Sequence, residues 1–168
     1  MNVLIIYKSY HRMNTEKVAK AMAETMNATL RKVEEAKPED ISKYDLIGFG
    51  SGIYGGKYHK EMFSLVEKIP RIEKNVFLFS TSGKPQEKYD KAIKELLVGK
   101  GFRIMGEFRC PGVVGGPLGI SLSNKGHPDE KDLADARAFA KGLLSAKFPM
   151  KTPSAFSSCM RVSLKGIM

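Results

Sequence analysis

The chain has 168 residues, 42% of them hydrophobic, and its 28 Lys and Arg against 18 Asp and Glu give a net charge of +10. A chain of this length and composition forms one domain with an ordinary core, which excludes a largely disordered protein. No apolar run approaches the roughly 20 residues needed to cross a bilayer, and the first residues resemble a strand rather than a leader, so we expect a cytoplasmic protein without a membrane span.

Five short apolar runs alternate with segments of helical periodicity along the chain. The apolar runs predict strands at residues 2–7, 29–33, 44–50, 75–80 and 102–108. The helical pattern covers residues 14–27, 58–69, 85–100 and 133–144. Strands and helices that alternate at this spacing indicate parallel βαβ units in a doubly wound sheet.

The candidate site lies beyond the carboxyl ends of the strands, where doubly wound sheets bind their ligands. The segments that follow strands one, three, four and five are residues 8–15, 51–57, 80–86 and 110–119. The cysteines and histidines are dispersed without metal-ligand spacing, so we predict neither a metal site nor a disulfide framework. Cys110, the thiol nearest to the candidate site in sequence, is expected to be buried and structural.

The first of these segments has the features of a phosphate-binding loop. It supplies the hydroxyls of Ser9 and Thr15, the amide of Asn14 and the free N–H groups of a helix N-terminus, which attracts anions. His11 and Arg12 lie in the same loop and can contact the phosphate. The alternative is that Asn14 or Thr15 serves only as a helix N-cap.

The other three segments are rich in glycine and hydroxyl groups. In Ser51-Gly52-Ile53-Tyr54-Gly55, glycines allow a flat ligand to approach the backbone and Tyr54 offers a ring for stacking; a simple turn with Tyr54 packed on its own domain is the alternative. Ser80-Thr81-Ser82-Gly83 offers donors for the polar edge of a planar ring. Residues 110–119 are expected to form a wall or lid of the same pocket.

Together these motifs resemble the flavodoxin family over residues 1–145. The resemblance rests on Ser9 with Asn14-Thr15-Glu16, on Gly50-Ser-Gly-Ile-Tyr54, on Ser80-Thr-Ser-Gly83, and on Gly116-Pro117 and Lys125-Gly-His-Pro128 after the fifth strand. It implies a flavodoxin-like α/β fold, with a five-stranded parallel sheet of order 2-1-3-4-5 and helices on both faces.

The resemblance also implies a cofactor and a role. The cofactor is non-covalent FMN, with its phosphate on residues 9–15, its ring against Tyr54 and its pyrimidine edge near residues 80–83. The implied function is electron transfer between redox partner proteins. An NAD(P)H-dependent flavin or quinone reductase and a porphyrinogen-type oxidase are alternatives on the same fold.

Three features depart from the family pattern. Met13 occupies the position of a glycine in related loops, where a positive φ would be costly, so a binding module that has lost FMN is a further alternative. The net charge of +10 favours a redox partner with an acidic docking face, whereas flavodoxins are usually acidic. A basic extension, residues 146–168, is expected to be mobile or partner-docked, and can mediate a homodimer. Nucleic-acid binding is not expected, because aromatic residues fall at core spacings.

Overall fold

The fold is built outwards from its first strand, which is buried along its whole length. In the computed structural model, which describes residues 1–10, 12–115 and 121–146, the main sheet has the order β2-β1-β3-β5-β6. Its strands are β1 (Val3–Lys8), β2 (Thr29–Lys32), β3 (Leu46–Tyr54), β5 (Asn75–Ser82) and β6 (Arg103–Pro111), all paired in parallel. Counted among these five alone, the order is 2-1-3-4-5, so the predicted fold class is confirmed.

Helices cover both faces of this sheet. They are α1 (Asn14–Met26), α2 (Lys60–Lys68), α3 (Lys91–Gly99) and α4 (Glu130–Ser145). Successive residues of β1 point to opposite faces, so Leu4 and Ile6 pack with α2 and α3, whereas Val3 and Ile5 pack with α1 and α4. The continuous apolar run of β1 is thus explained by burial on both sides.

Three short strands lie near the carboxyl ends of the main strands, where the candidate site is. β4 (Lys57–Tyr58) pairs antiparallel with the end of β3, and β7 (Val114–Gly115) pairs with β8 (Ser121–Ser123). The pairing with β4 extends β3 to Tyr54, four residues beyond the predicted end. The predicted helix at 85–100 is partly wrong, because Glu87–Asp90 forms a 3-10 turn before α3 begins.

Besides His11, two segments named in the sequence analysis lie wholly or partly outside the described residues. They are the Gly116-Pro117 segment and, after Ala146, the basic extension. Among the helices that the structure describes, none is long and apolar enough to cross a membrane.

Close packing between β3 and β5 yields a stability prediction. A Cβ on Gly48 would overlap the ring of Phe77, its partner across the two strands. We expect Gly48→Ala to lower the free energy of unfolding by about 1–3 kcal/mol, the usual cost of overpacking. As a control, Gly142→Ala in α4, where the added Cβ meets nothing within 4 Å, should raise it by up to about 1 kcal/mol. Urea denaturation followed by circular dichroism measures both, and equal effects would contradict the prediction.

Candidate functional site

A cleft of about 240 Å³ opens at the carboxyl ends of the strands. It is lined by Tyr10, Asn14, Thr15, Gly52, Ile53, Tyr54, Thr81, Ser82, Gly83, Gly112, Val113, Val114 and Gly115. All four segments predicted to form a site therefore meet in one place.

The first loop enters α1 through two residues in the left-handed conformation. Arg12 has φ 53° and Met13 has φ 54°. Met13 thus adopts the positive φ expected of a glycine at this position. For a residue with a Cβ, this left-handed conformation costs about 1–2 kcal/mol. Ser9 Oγ accepts a hydrogen bond from the Glu16 N–H at 3.3 Å and so satisfies one donor of the first helical turn.

Asn14 and Thr15 tie this loop to its neighbours instead of capping α1. Thr15 Oγ1 lies 2.9 Å from Thr81 Oγ1, and both residues are buried. Asn14 Nδ2 donates to the carbonyl of Val113 at 3.0 Å, while Asn14 Oδ1 is buried with no hydrogen-bond partner among the described residues. The N-cap alternative for these two residues is therefore wrong, and an unsatisfied acceptor stands at the wall of the cleft.

The second wall is a tight β-hairpin. Gly55 (φ 58°) and Gly56 (φ 79°) form its two-residue turn, a conformation that other residues adopt only with strain. Tyr54 folds back over Gly52, and its hydroxyl accepts a hydrogen bond from the Tyr10 N–H at 3.1 Å. The Tyr54 ring lines the cleft and also packs on its own domain, edge-on to His59 with centroids 5.2 Å apart.

The third wall is the end of β5, where Thr81, Ser82 and Gly83 line the cleft. Ser80 lies one residue further inside the strand than Thr81 and points to the opposite face of the sheet, away from the cleft. Its hydroxyl donates to Asp90 Oδ1 at 3.4 Å, and Arg109 Nε donates to the other oxygen of the same carboxylate at 2.5 Å. Burial raises the pKa of Asp90 despite its pairing with Arg109.

Gly112–Gly115 forms the fourth wall, as expected for the 110–119 segment up to the last described residue. The Gly112 N–H donates to Ser82 O at 2.9 Å, and Asn124 Nδ2 donates to Gly83 O at 2.6 Å. The Val113 N–H donates to His127 O at 3.0 Å. Cys110 is buried as predicted, and burial raises the pKa of its thiol to about 12.

A buried cation lies behind the first loop. Lys8 is 5% exposed, and its ammonium group pairs with Glu34 and, at 2.8 Å, with Glu61. Burial alone lowers the pKa of Lys8, but the hydrogen bonds to the two carboxylates outweigh it and raise that pKa. The same ammonium group lies 5.5 Å from the ring centroid of Tyr10. Lys8 therefore braces β1, α2 and the first loop rather than serving as a free charge.

The structure brings together eight of the predicted site residues. Those lining the cleft are Asn14, Thr15, Gly52, Ile53, Tyr54, Thr81, Ser82 and Gly83. Those outside its lining are Ser9, Arg12, Ser51, Gly55 and Ser80, and His11 lies outside the described residues. Ser51 is buried, and its hydroxyl joins the hairpin to the His59 N–H at 3.0 Å.

The predicted residue set missed Tyr10 and the Gly112–Gly115 wall. Tyr10 stands between predicted residues of the first loop, so its position was the available signal. Sequence reasoning named residues 110–119 as a wall without choosing among them.

Comparisons with known proteins agree with this architecture. The profile of the flavodoxin domain family matches residues 4–106. An uncharacterized protein of Methanocaldococcus jannaschii is 45% identical over 150 residues, which cover 86% of this chain and 99% of the relative.

Two solved structures share the fold. Oxidised flavodoxin 2 from Bacillus cereus superimposes with a TM-score of 0.66 at 23% identity, covering 86% of this chain and 98% of that one. A flavodoxin from the domain Archaea gives a TM-score of 0.65 at 17% identity, covering 85% and 96% of the two chains.

The strain at Met13 leads to a first prediction for this site. Replacing Met13 with Gly removes the Cβ that disfavours its left-handed backbone, so we expect the free energy of unfolding to rise by about 1 kcal/mol. Met13→Ala keeps a Cβ and should leave the strain in place. Urea denaturation of the three proteins measures this, and equal stability of the Gly and Ala variants would contradict it.

His59 leads to a second prediction, on pH. Its Nδ1 accepts the Glu61 N–H at 3.3 Å as the N-cap of α2, which requires that nitrogen to be unprotonated, and burial lowers its pKa. Because folding lowers this pKa, His59 contributes fully to the free energy of unfolding above its unfolded-state pKa of about 6.5. That contribution is lost as pH falls through the folded-state pKa. We expect the loss of the cap to cost about 1 kcal/mol in acid.

The matched variant is His59→Asn, which keeps a neutral cap. Hydrogen bonding to Asp132 raises the pKa of His127, so His127 contributes with the opposite sign, losing stability as pH rises. The difference in the free energy of unfolding between wild type and His59→Asn, followed against pH, therefore isolates the contribution of His59. Parallel stability curves for the two proteins from pH 7 to about pH 5 would contradict this assignment.

Proposed function

This chain belongs to the flavodoxin domain family, and we propose that it binds FMN in the cleft and carries electrons between redox partner proteins. One observation carries the proposal: the cleft lies where the carboxyl ends of the strands meet the N-terminus of α1. That N-terminus attracts an anion such as a phosphate monoester, while a planar ring can reach the backbone at the glycine walls.

The residues present fit this cofactor. The buried, unpaired Oδ1 of Asn14 needs a donor, and a flavin side chain carries hydroxyl donors. Gly112 has no room for a side chain, since its Cβ would lie 2.8 Å from Asn14 Nδ2. Residues 9–15 would hold the phosphate, Gly52 and Tyr54 the ring, and Thr81–Gly83 the pyrimidine edge.

When bound, the flavin supplies transfer of one or two electrons. The chain's own residues orient and enclose it. The bond between the Tyr54 hydroxyl and the Tyr10 N–H holds the hairpin against the first loop. The hydroxyl pair of Thr15 and Thr81 and the Asn14–Val113 bond hold the walls together and keep water out of their base.

The charge of the surface supports an acidic redox partner. Arg12, Lys57, Lys84 and Lys125 are exposed residues of the segments around the cleft, within a chain of net charge +10. Such a rim steers an acidic protein towards the cleft and should make association weaken as salt rises. A cytoplasmic location remains a prediction.

We expect the visible absorption spectrum to test the proposal directly. The purified full chain, mixed with FMN, should take up the cofactor and quench its fluorescence. Absence of any uptake or quenching would contradict the proposal and favour a binding module without a flavin. Oxidation of NADPH with a quinone at many turnovers per second would instead indicate a reductase.

The proposed contact between Arg12 of the first loop and the FMN phosphate has its own test. Arg12→Gln should weaken binding of FMN by about tenfold and leave binding of riboflavin, which lacks the phosphate, unchanged. Lys17→Gln makes the same change of charge at an exposed position within α1 and serves as the control. Fluorescence titration of wild type and both variants with each ligand measures this, and equal losses for FMN and riboflavin in Arg12→Gln would contradict a phosphate contact.

A further inference from the structure

A second groove, of about 570 Å³, lies on the other side of Tyr54. It is lined by Tyr54, Lys57, Tyr58, His59, Lys60, Phe63, Ser64, Glu67 and Ala92. Its walls are therefore the hairpin, α2 and α3, and Tyr54 is the residue that lines both the groove and the first cleft. A volume of this order is that of a small-molecule site.

One stripe of α2 forms the length of the groove. Lys60, Phe63, Ser64 and Glu67 follow the spacing i, i+3, i+4, i+7, which places them in a row on one face of the helix. The row runs for about 10 Å, at 1.5 Å per residue, from a cation at the start of α2 to a carboxylate near its end. The groove is thus polarised along its axis.

The basic end of the groove carries two lysines that are available to bind an anion. Lys57 and Lys60 are exposed, and neither forms an ion pair with any acidic side chain in the part of the chain that the structure describes. Glu61, their nearest carboxylate in sequence, pairs with Lys8. The N-terminus of α2 adds a positive partial charge at the same end.

The middle of the groove is apolar and aromatic. Tyr58 is 2% exposed, and its hydroxyl donates to Phe79 O at 3.1 Å, so that hydroxyl is already engaged inside the protein. The rings of Tyr54 and Phe63 are half-buried. Ala92 of α3, a small exposed residue, leaves the space between the two helices open.

We propose that this groove binds a small planar aromatic carboxylate that carries a hydrogen-bond donor at its far end. The carboxylate pairs with Lys57 and Lys60, the ring lies among the aromatic side chains, and the donor reaches Ser64 or Glu67. The polarity along about 10 Å matches a single bicyclic molecule. An acidic segment of a protein would satisfy the lysines but would leave Glu67 repelled at the other end.

The test uses three naphthalene probes on the full chain: 2-naphthoate, the isosteric 2-naphthamide, and 6-amino-2-naphthoate, which adds one amino group. Charge pairing predicts that 2-naphthoate binds about tenfold more tightly than the neutral amide. The amino group should add a further gain of several fold through Glu67. Probe fluorescence and ligand-observed NMR measure these affinities, without a need for any cofactor.

Variants of the groove residues test which side chain binds each part of the probes. The double change Lys57→Gln and Lys60→Gln should abolish the preference for the carboxylate, and Glu67→Gln should reduce the gain from the amino group. Ala92→Leu fills the groove from an exposed helical position and should block all three probes while leaving the circular dichroism spectrum unchanged. Lys141→Gln, on exposed α4 across the sheet, is the matched control and should change nothing.

Several outcomes would overturn the proposal. They are equal affinities for the naphthoate and the amide, binding that survives Ala92→Leu, and no binding of any probe up to about 1 mM. Binding of a synthetic peptide of alternating Glu and Phe, where 2-naphthoate fails, would assign the groove to a protein partner instead. Since the probes need no FMN, failure here leaves the proposed function untouched, and the reverse also holds.

Discussion

The register of the parallel sheet decides which side chains can reach the cleft. Lys8 of β1 lies opposite Ser51 of β3, and Ser51 lies opposite Ser80 of β5, which in turn lies opposite Arg109. Residues level with one another in neighbouring parallel strands point to the same face. This row faces α2 and α3, as the partners of Lys8 and Ser80 confirm. The next row, with Gly52 opposite Thr81, faces the first loop and builds the cleft.

That row structure explains how far sequence reasoning could go. The order of elements, the fold class and the meeting of four segments follow from apolar runs, helical periodicity and the geometry of parallel sheets. The face to which each side chain points at the end of a strand does not follow from these patterns. In Ser80-Thr81-Ser82 every residue carries a hydroxyl, so only the register reveals that Thr81 turns to the cleft while Ser80 turns to Asp90. The glycine-rich segment after the third strand likewise predicts Ser51 as a site residue, but the structure buries Ser51 beneath the hairpin.

The charges of the chain divide into two groups with different roles. Lys8 is buried and Arg109 is half-buried, and both are matched by carboxylates, since a buried charge without a partner would cost several kcal/mol. Lys57 and Lys60 lie at the surface beside Tyr54 without such partners among the described residues. These two lysines therefore present positive charge at the surface beside the groove, where it can act on anions.

Tyr54 lines both the cleft and the groove. Its hydroxyl accepts a hydrogen bond from the Tyr10 N–H, worth about 1 kcal/mol net, and its ring packs edge-on to His59 with centroids 5.2 Å apart. A ligand that moved this ring would have to break both contacts. Any shift changes the wall of the other cleft, because the same side chain lines both. Were ligands in the cleft and the groove both to move this ring, thermodynamic linkage would require each to change the affinity for the other by the same factor.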